Sequence, residues 1–304
     1  MKEILNILNK YYPHDFDNIE FVRDGGSTSY NVFCGEHKYF LRIIKPAFFD
    51  TAISGINIQA FLFDEDFPVP QIIRTNDNAL YVREKTNGED QLYVLYEFIE
   101  GSEPNCEQHA EAIGELIGKL HHVMKNYDGE LVRNDKHFFI GRYIDILRQK
   151  QYPKTHEFEK YSDILWDRIK DLPRGYCHGD MIDINMHRTP NGKLYLLDFD
   201  TSCEGFPLYD LALICNKTDY FNFDSSGYEE TKTLIEKMMQ SYLKYNNVSK
   251  EERAAIFDLI ALYHFTLQAT IIELHGIDCV NEKFLDNQLD WLYKWREQCE
   301  NQRV

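Results

Sequence analysis

Residues 177–185 read CHGDMIDIN, and residues 196–200 read LLDFD. These stretches place Asp180 and Asn185 five positions apart, and Asp198 follows Asn185 thirteen positions later. Carboxylate and amide oxygens are hard ligands of the kind that Mg²⁺ prefers in proteins. A carboxylate that binds no metal can instead accept a proton from a hydroxyl group. The two stretches therefore predict a site that combines metal binding with proton transfer.

The spacing of these three residues matches a catalytic pattern of phosphoryl transfer, H-R-D-x-x-x-x-N followed by D-F-G. In this pattern Asp180 is the catalytic residue that accepts the hydroxyl proton, and Asn185 and Asp198 are the metal ligands. Asp200 is open as a second metal ligand or a substrate ligand. The competing interpretation is a buried turn network without chemistry, but three groups at these spacings favour phosphoryl transfer.

A β-hairpin is predicted between the two stretches. Residues 191–192 are Asn-Gly, a typical turn dipeptide, and the apolar run 194–197 follows them. The hairpin carries Asn185 before its first strand and Asp198 after its second. Both metal ligands are therefore expected at the same edge.

A glycine-rich turn lies near the N-terminus. Strands are predicted at residues 19–23, 30–34 and 38–44. Backbone N–H groups of a glycine-rich turn can approach phosphate oxygens, so Gly25, Gly26 and Ser27 are predicted to bind a cofactor. The sequence of this turn alone does not distinguish a phosphate-binding turn from an ordinary hairpin. The phosphate-binding interpretation is favoured because residues 177–200 follow later in the chain.

One cation of the third strand is predicted to contact nucleotide phosphates. Alternation along a strand places Arg42 and Lys45 on opposite faces. Arg42, inside the strand, is the preferred candidate, and Lys45, just before Pro46, is the alternative. The apolar side of the next predicted helix, residues 51–64, consists of Ile53, Ile56, Ala60 and Phe63.

The order of the predicted elements indicates an α+β chain in two parts. Residues 1–97 are strand-rich, residues 98–101 form a connector, and residues 102–304 are mainly helical. Helices of the second part are predicted at residues 110–123, 138–150, 161–171, 209–216, 228–245, 250–273 and 281–298.

Composition limits the function classes. The chain has 304 residues and a net charge of −17. This balance gives no electrostatic footprint for nucleic acid or anionic lipid, and neither is expected as a partner. Seven scattered cysteines without a C-x-x-C pair predict reduced thiols and a cytoplasmic protein. No apolar run is expected to span a membrane.

These motifs resemble the aminoglycoside phosphotransferase and choline kinase family, a phosphotransferase enzyme family with a protein-kinase-like fold. Residues 95–101, LYEFIEG, are similar to the family's hinge, whose backbone holds the adenine. The resemblance therefore implies nucleotide contacts at Glu97 and Ile99. His-Gly-Asp at residues 178–180 is similar to the family's form of the catalytic loop. The resemblance as a whole implies a small N-terminal lobe with an antiparallel sheet, residues 1–97, followed by a mainly helical lobe.

Further residues extend the resemblance. Residues 205–212, GFPLYDLA, are similar to a segment in which Asp210 braces the catalytic loop, and His178 is implied as a second structural support. Three positions depart from the family pattern. Arg42 replaces a lysine, Gln59 stands where a glutamate would pair with that cation, and Ser29 stands for an asparagine of the phosphate loop.

The resemblance implies an enzyme that transfers the ATP γ-phosphate, with Mg²⁺, to a hydroxyl of a small molecule. GTP is open as an alternative donor, and a cationic amine or amino sugar is one class of acceptor. A protein kinase is disfavoured because only residues 201–209 separate Asp200 from Asp210, without A-P-E. A catalytically silent binding protein is a further alternative, and the intact Asp180, Asn185 and Asp198 argue against it.

The late helices hold candidate acceptor contacts. Glu273 and Asp278 could bind an amine, and Trp291, Tyr293 and Trp295 could form an aromatic surface for a quaternary ammonium group. Core packing and solvated helix faces are the favoured interpretation of both groups.

Overall fold

The computed structural model describes residues 1–86 and 88–302. The strands are β1 (Asn18–Arg23), β2 (Ser27–Cys34), β3 (His37–Ile44), β4 (Val82–Thr86), β5 (Glu89–Glu97), β6 (Gly175–Cys177), β7 (Met186–Arg188), β8 (Leu194–Leu196) and β9 (Cys203–Gly205). The α-helices are α1 (Lys2–Tyr11), α2 (Phe49–Asp64), α3 (Ala110–Val123), α4 (Arg142–Gln149), α5 (Thr155–Ile169), α6 (Leu208–Cys215), α7 (Ser226–Tyr242), α8 (Lys250–His275) and α9 (Glu282–Gln302).

The chain divides into two compact units. The strand unit comprises Met1–Pro104, Asn126–Glu130 and Asp183–Ser202. The helical unit comprises Asn105–Lys125, Leu131–Ile182 and Cys203–Val304. The chain passes from the helical unit into the strand unit after Ile182, in the middle of the stretch that the sequence singles out.

An antiparallel sheet forms the centre of the strand unit, with the order β1-β2-β3-β5-β4. Helix α1 is amphipathic, and its Ile4, Ile7 and Leu8 are buried in the core with Leu41 and Leu95 of the sheet. The predicted strands and the predicted antiparallel pairing are confirmed.

Helix α2 packs through most of the predicted side, since Ile56 is buried and Ile53 and Ala60 pack against the core, but it also buries residues outside that side. Its buried residues are Ala52, Gly55, Ile56, Ile58, Gln59 and Leu62. Phe63, predicted to be on the apolar side, is 39% exposed. The helix has apolar residues around much of its circumference, so the periodicity of the sequence alone does not define the full surface that packs against the core.

The β7–β8 hairpin belongs to the strand unit, whereas the sequence assigned it to the second lobe. Backbone contacts explain this position, since the Leu196 N–H donates to the Pro68 carbonyl at 3.0 Å and Ser102 bridges to Arg188. A side chain at Gly101 would lie 2.8 Å from the Arg188 carbonyl oxygen, so only glycine allows this approach. The boundaries of the functional lobes stay a prediction.

Helices make up most of the helical unit. Helix α8 starts with a capping box, in which the Ser249 hydroxyl accepts from the Glu252 N–H and Glu252 accepts from the Ser249 N–H. It ends at Gly276, whose φ is +87°. By length and composition this helix could cross a membrane, contrary to the expectation from sequence. Its apolar stretch is largely buried in the unit, as in a core helix.

Candidate active site

The β7–β8 hairpin brings the two predicted metal ligands to one edge of the strand unit. Met186 pairs with Leu196, and the Leu197 N–H donates to the Asn185 carbonyl at 2.9 Å. Asn185 and Asp198 therefore flank the same end of the ladder. Asp198 has φ +58°, a left-handed conformation that is uncommon outside glycine and concentrated at ligand sites. The hairpin and its placement of both residues agree with the prediction.

Arg42 is the cation of this edge. Its guanidinium donates to both carboxylate oxygens of Asp200, at 2.6 and 3.3 Å, and lies 3.8 Å from Asp198. Burial alone would lower the pKa of Arg42, but the neighbouring Tyr96, Asp200 and Asp198 together raise it. Arg42 is therefore a permanent cation between two carboxylates.

The glycine turn is linked to the same cation. Arg42 Nε donates to the Ser27 hydroxyl at 3.3 Å, where β2 begins. Lys45 does not share the contacts of Arg42. Its exposed ammonium group contacts the Asp24 carboxylate at 3.1 Å and the Gly25 carbonyl at 3.0 Å. Arg42 thus contacts the predicted metal ligand Asp198, and Lys45 closes the turn from outside.

Two small-lobe expectations are wrong. The Gln59 amide donates to the Pro70 carbonyl at 2.7 Å and is not a partner of Arg42, whose partner is Asp200. Ser29 lies within β2, opposite Arg42, and its side chain is fully buried, so it is not part of the turn. Both residues face the interior, which the family alignment alone did not indicate.

Gly55 of α2 is a site residue that the sequence analysis missed. A side chain there would lie 2.9 Å from the Phe199 carbonyl carbon and 3.0 Å from an Asp200 carboxylate oxygen. Glycine therefore lets α2 pass close to the 198–200 segment. An isolated glycine within a helix is the available signal, since such a glycine usually serves close packing.

The predicted hinge residues lie at the end of strand β5, with Glu97 as its last residue and Ile99 just after it. The Glu97 N–H donates to the Gln71 carbonyl at 2.8 Å, and the Ile99 carbonyl contacts His187 Nδ1 at 3.3 Å. A cavity of about 340 Å³ is lined by both residues together with segment 189–191 and Tyr195. The hinge is thus fixed to the hairpin and borders an open space within the strand unit.

In the helical unit, a buried carboxylate holds the backbone before Asp180. Asp210 is fully buried, and its two oxygens accept the N–H groups of His178 at 2.7 Å and Gly179 at 3.0 Å. Gly179 has φ +83°, which favours glycine. This geometry agrees with the bracing role expected for Asp210, and His178 is itself fully buried beside it.

His121 extends this network, and the sequence analysis missed it. Its Nε2 lies 2.9 Å from Asp210, and its Nδ1 lies 2.9 Å from the Tyr242 hydroxyl. His121 is buried, whereas its neighbour His122 is exposed. The position of His121 within α3 does not predict its bond to Asp210, because Asp210 belongs to α6, which lies far along the chain.

Tyr263 lies close enough to Asp180 for the charge of that carboxylate to affect it. Tyr263 is half-buried, and burial and then the charge of Asp180 raise its pKa to about 12. The ring of Tyr220 lies 5.3 Å from that of Tyr263 and 5.7 Å from that of His264. Burial lowers the pKa of His264 to about 3, despite an opposing contact from Gln288. This part of the helical unit therefore combines aromatic rings with an uncharged imidazole.

The late-helix candidates do not form an amine site. Trp291 and Trp295 are stacked at 5.5 Å and buried, whereas Tyr293 points to Glu157. Glu273 forms an ion pair with Arg142. The favoured interpretation, core packing and solvated helix faces, holds for these residues.

The phosphotransferase enzyme family model matches residues 18–253. A homoserine kinase from Zymomonas mobilis subsp. mobilis is 27% identical over 207 residues, which are 64% of this chain and 61% of that protein. Among solved structures, amicoumacin kinase hAmiN in complex with AMP-PNP and Ca²⁺ has a TM-score of 0.73 at 16% identity, covering 99% of this chain and 93% of that one.

A microcompartment-associated aminopropanol kinase has a TM-score of 0.71 at 16% identity, covering 98% of this chain and 95% of that one. These likenesses confirm the predicted protein-kinase-like α+β fold. The family match covers most of the chain and includes residues 177–185, residues 196–200 and Asp210. The chain belongs to the phosphotransferase enzyme family and is a small-molecule phosphotransferase of that family.

Proposed function

We propose that the protein transfers the γ-phosphoryl group of ATP, bound with Mg²⁺, to a hydroxyl group of a small molecule. The observation that carries the proposal is the edge of the strand unit where Arg42 pairs with Asp200 beside Asp198. A guanidinium there can grip phosphate oxygens, and a neighbouring carboxylate can hold the metal that accompanies them.

The donor set suits Mg²⁺. Asp198 would contribute a charged oxygen and Asn185 a neutral one, so the two ligands do not repel each other. The described ranges, 1–86 and 88–302, contain no group of three or more Asp, Glu, His or Cys side chains arranged for a metal. Phosphate oxygens and water would supply the remaining oxygen ligands, as is usual for Mg²⁺ in such enzymes. The ion, when bound, neutralises charge on the phosphates.

The strand unit would bind the rest of the nucleotide. The Arg42 guanidinium would exchange part of its contact with Asp200 for phosphate oxygens. Backbone N–H groups at Gly25, Gly26 and Ser27 would approach the phosphates. Main-chain groups of Glu97 and Ile99 would hold the adenine. Asp200 would then serve as the resting partner of Arg42.

The helical unit would handle the proton. The acceptor oxygen forms a bond to the γ-phosphorus while the bond from that phosphorus to the bridging oxygen breaks, and ADP leaves. Asp180 takes the proton of the attacking hydroxyl. Asp210 holds the N–H groups of His178 and Gly179, and thereby fixes the backbone that carries Asp180.

We infer an amino alcohol as the acceptor. The half-buried Tyr263 ring lies near the Asp180 carboxylate, and a ring face and a negative charge both attract a cation. His264 stays uncharged at neutral pH and so adds no repulsion. The names of two similar proteins, the homoserine and aminopropanol kinases, also describe acceptors with one amino and one hydroxyl group.

ADP release tests both statements. The panel contains homoserine, 1-amino-2-propanol, choline, an amino sugar and 1,2-propanediol, the last as an amine-free match. We expect turnover of at least one amino alcohol and much slower turnover of the diol. Rates no higher than those of Asp180→Asn for every compound would contradict the kinase proposal. Equal rates for the diol and its amine would contradict only the acceptor class.

A further inference from the structure

The helical unit contains a cavity of about 440 Å³ that the proposed reaction does not use. Its walls come from the end of α3, the segment before β6, the start of α6 and the α7–α8 connection. Leu131, Leu172 and Val248 are among its apolar lining residues. A cavity of this size falls in the range of small-molecule sites, which are mostly apolar with a few polar groups.

Two cations line this cavity in a strongly acidic protein. Arg174 lies over the Phe206 ring at 4.1 Å and donates to the Asn134 carbonyl at 2.8 Å. Lys125 donates to the Asn246 amide oxygen at 3.0 Å. Within the part of the chain that the structure describes, neither cation forms an ion pair with a carboxylate.

The acidic residues of the cavity are already engaged. Glu204 pairs with Arg133 at 3.6 Å, and Glu252 accepts the Ser249 N–H in the capping box of α8. Their charges are thus partly compensated by other groups. Burial, and after it the nearby Arg133, lowers the pKa of Arg174. An anion beside Arg174 would stabilise the charged guanidinium and so offset both effects.

We propose that this cavity is a second ligand site, which binds a small anion with an apolar body. Arg174 and Lys125 would hold the carboxylate or phosphate head, and the leucine and valine side chains would cover the body. His121 and Tyr242 also line the cavity and belong to the hydrogen-bond network of Asp210. A bound anion would therefore lie against the residues that support the catalytic backbone.

Calorimetry without nucleotide tests the site, so the outcome does not depend on the proposed reaction. The probes are benzoate and phenyl phosphate. Inorganic phosphate serves as a control for the anionic head alone, and benzyl alcohol as a control for the apolar body alone. We expect benzoate or phenyl phosphate to bind more tightly than either part. Charge-assisted hydrogen bonds justify an expected loss of about tenfold or more in affinity for Arg174→Gln and for Lys125→Gln.

Two controls locate the binding. Lys170→Gln removes an exposed cation of the same unit, which pairs with Asp167, and should leave the affinity unchanged. Arg42→Gln separates the cavity from the proposed nucleotide site and should also leave it unchanged. Thermal unfolding checks that Arg174→Gln is folded, and the exposed Lys125 provides an independent variant.

The proposal is overturned if neither probe binds at millimolar concentration. It is also overturned if the Arg42→Gln variant alone loses the probes, since binding would then belong to the nucleotide site. Unchanged affinity in both the Lys125 and the Arg174 variants would contradict it in the same way.

Discussion

The strand unit and the helical unit each contain a polar network, and the two networks differ in burial and in partners. In the strand unit, Arg42 pairs with Asp200 near Asp198, and the Asp198 side chain is 37% exposed. In the helical unit, Asp210 is fully buried and bonded to backbone N–H groups and His121. A partly exposed ion pair between side chains can exchange partners for a ligand. A carboxylate that satisfies backbone donors is fixed, and it suits positioning.

The largest expected effect comes from Asp180, which the fixed network supports. Asp180→Asn keeps the size of the side chain and removes the base. Loss of a general base lowers the rate by roughly 10²–10⁴. We expect steady-state turnover to fall by this range, with the melting temperature unchanged. Near wild-type turnover of the true acceptor would contradict the role of Asp180.

The second prediction compares the two networks by stability. Asp210→Ala leaves two backbone N–H groups and His121 without their buried acceptor, and it should lower the free energy of unfolding by about 3–5 kcal/mol. Asp200→Ala should cost about 1 kcal/mol, because Asp198 stays within 3.8 Å of Arg42 and the site is partly solvated. Denaturant unfolding measures both. Equal losses would remove the distinction between a fixed and an exchangeable network.

The third prediction concerns the cation of the exchangeable network. Arg42→Ala should weaken ATP binding by about 10- to 100-fold, given the strength of charge-assisted hydrogen bonds. Arg42→Lys should recover part of the loss, because the charge returns without the bidentate fork. Lys45→Ala is the matched control and should have little effect. A loss at Lys45 with none at Arg42 would assign the phosphate contact to Lys45.

The smallest effect concerns packing beside the same network. Gly55→Ala places a methyl group 2.9 Å from the Phe199 carbonyl carbon. Overpacking of this kind costs about 1–3 kcal/mol. We expect a lower melting temperature and weaker ATP binding, because the 198–200 segment must shift. Gly25→Ala, where nothing lies within 4 Å of the added carbon, is the stability control.

Local patterns in the sequence predicted much of this fold. Helix α3 begins at Ala110 and ends at Val123, as its periodicity indicated. The hairpin was predictable because a turn dipeptide and an apolar run are neighbours in the chain. Asp210 came from a motif that the family resemblance supplied. Each of these signals lies within a few consecutive residues.

The missed features depend on residues that are far apart in sequence. Arg42 and Asp200 are separated by 158 positions, and no periodicity predicts that Asp200 replaces Gln59 as the partner of Arg42. His121 gave no signal in the sequence because its bond to Asp210, 89 positions away, exists only in the folded unit. Tertiary packing determines which side chains become partners. Similarity to the motifs of a family can therefore assign a residue to a helix or strand, but it does not determine the contacts of that residue.

Binding of Mg²⁺ with a non-hydrolysable ATP analogue tests the central claim most directly, that the strand unit binds the metal nucleotide while Asp180 handles the proton. Calorimetry would compare the wild type with Asp198→Ala, Asn185→Ala and Asp180→Asn. We expect Asp198→Ala to lose Mg²⁺-dependent binding, Asn185→Ala to lose less, and Asp180→Asn to bind like the wild type. Equal affinity of wild type and Asp198→Ala, or a loss confined to Asp180→Asn, would contradict this division of roles.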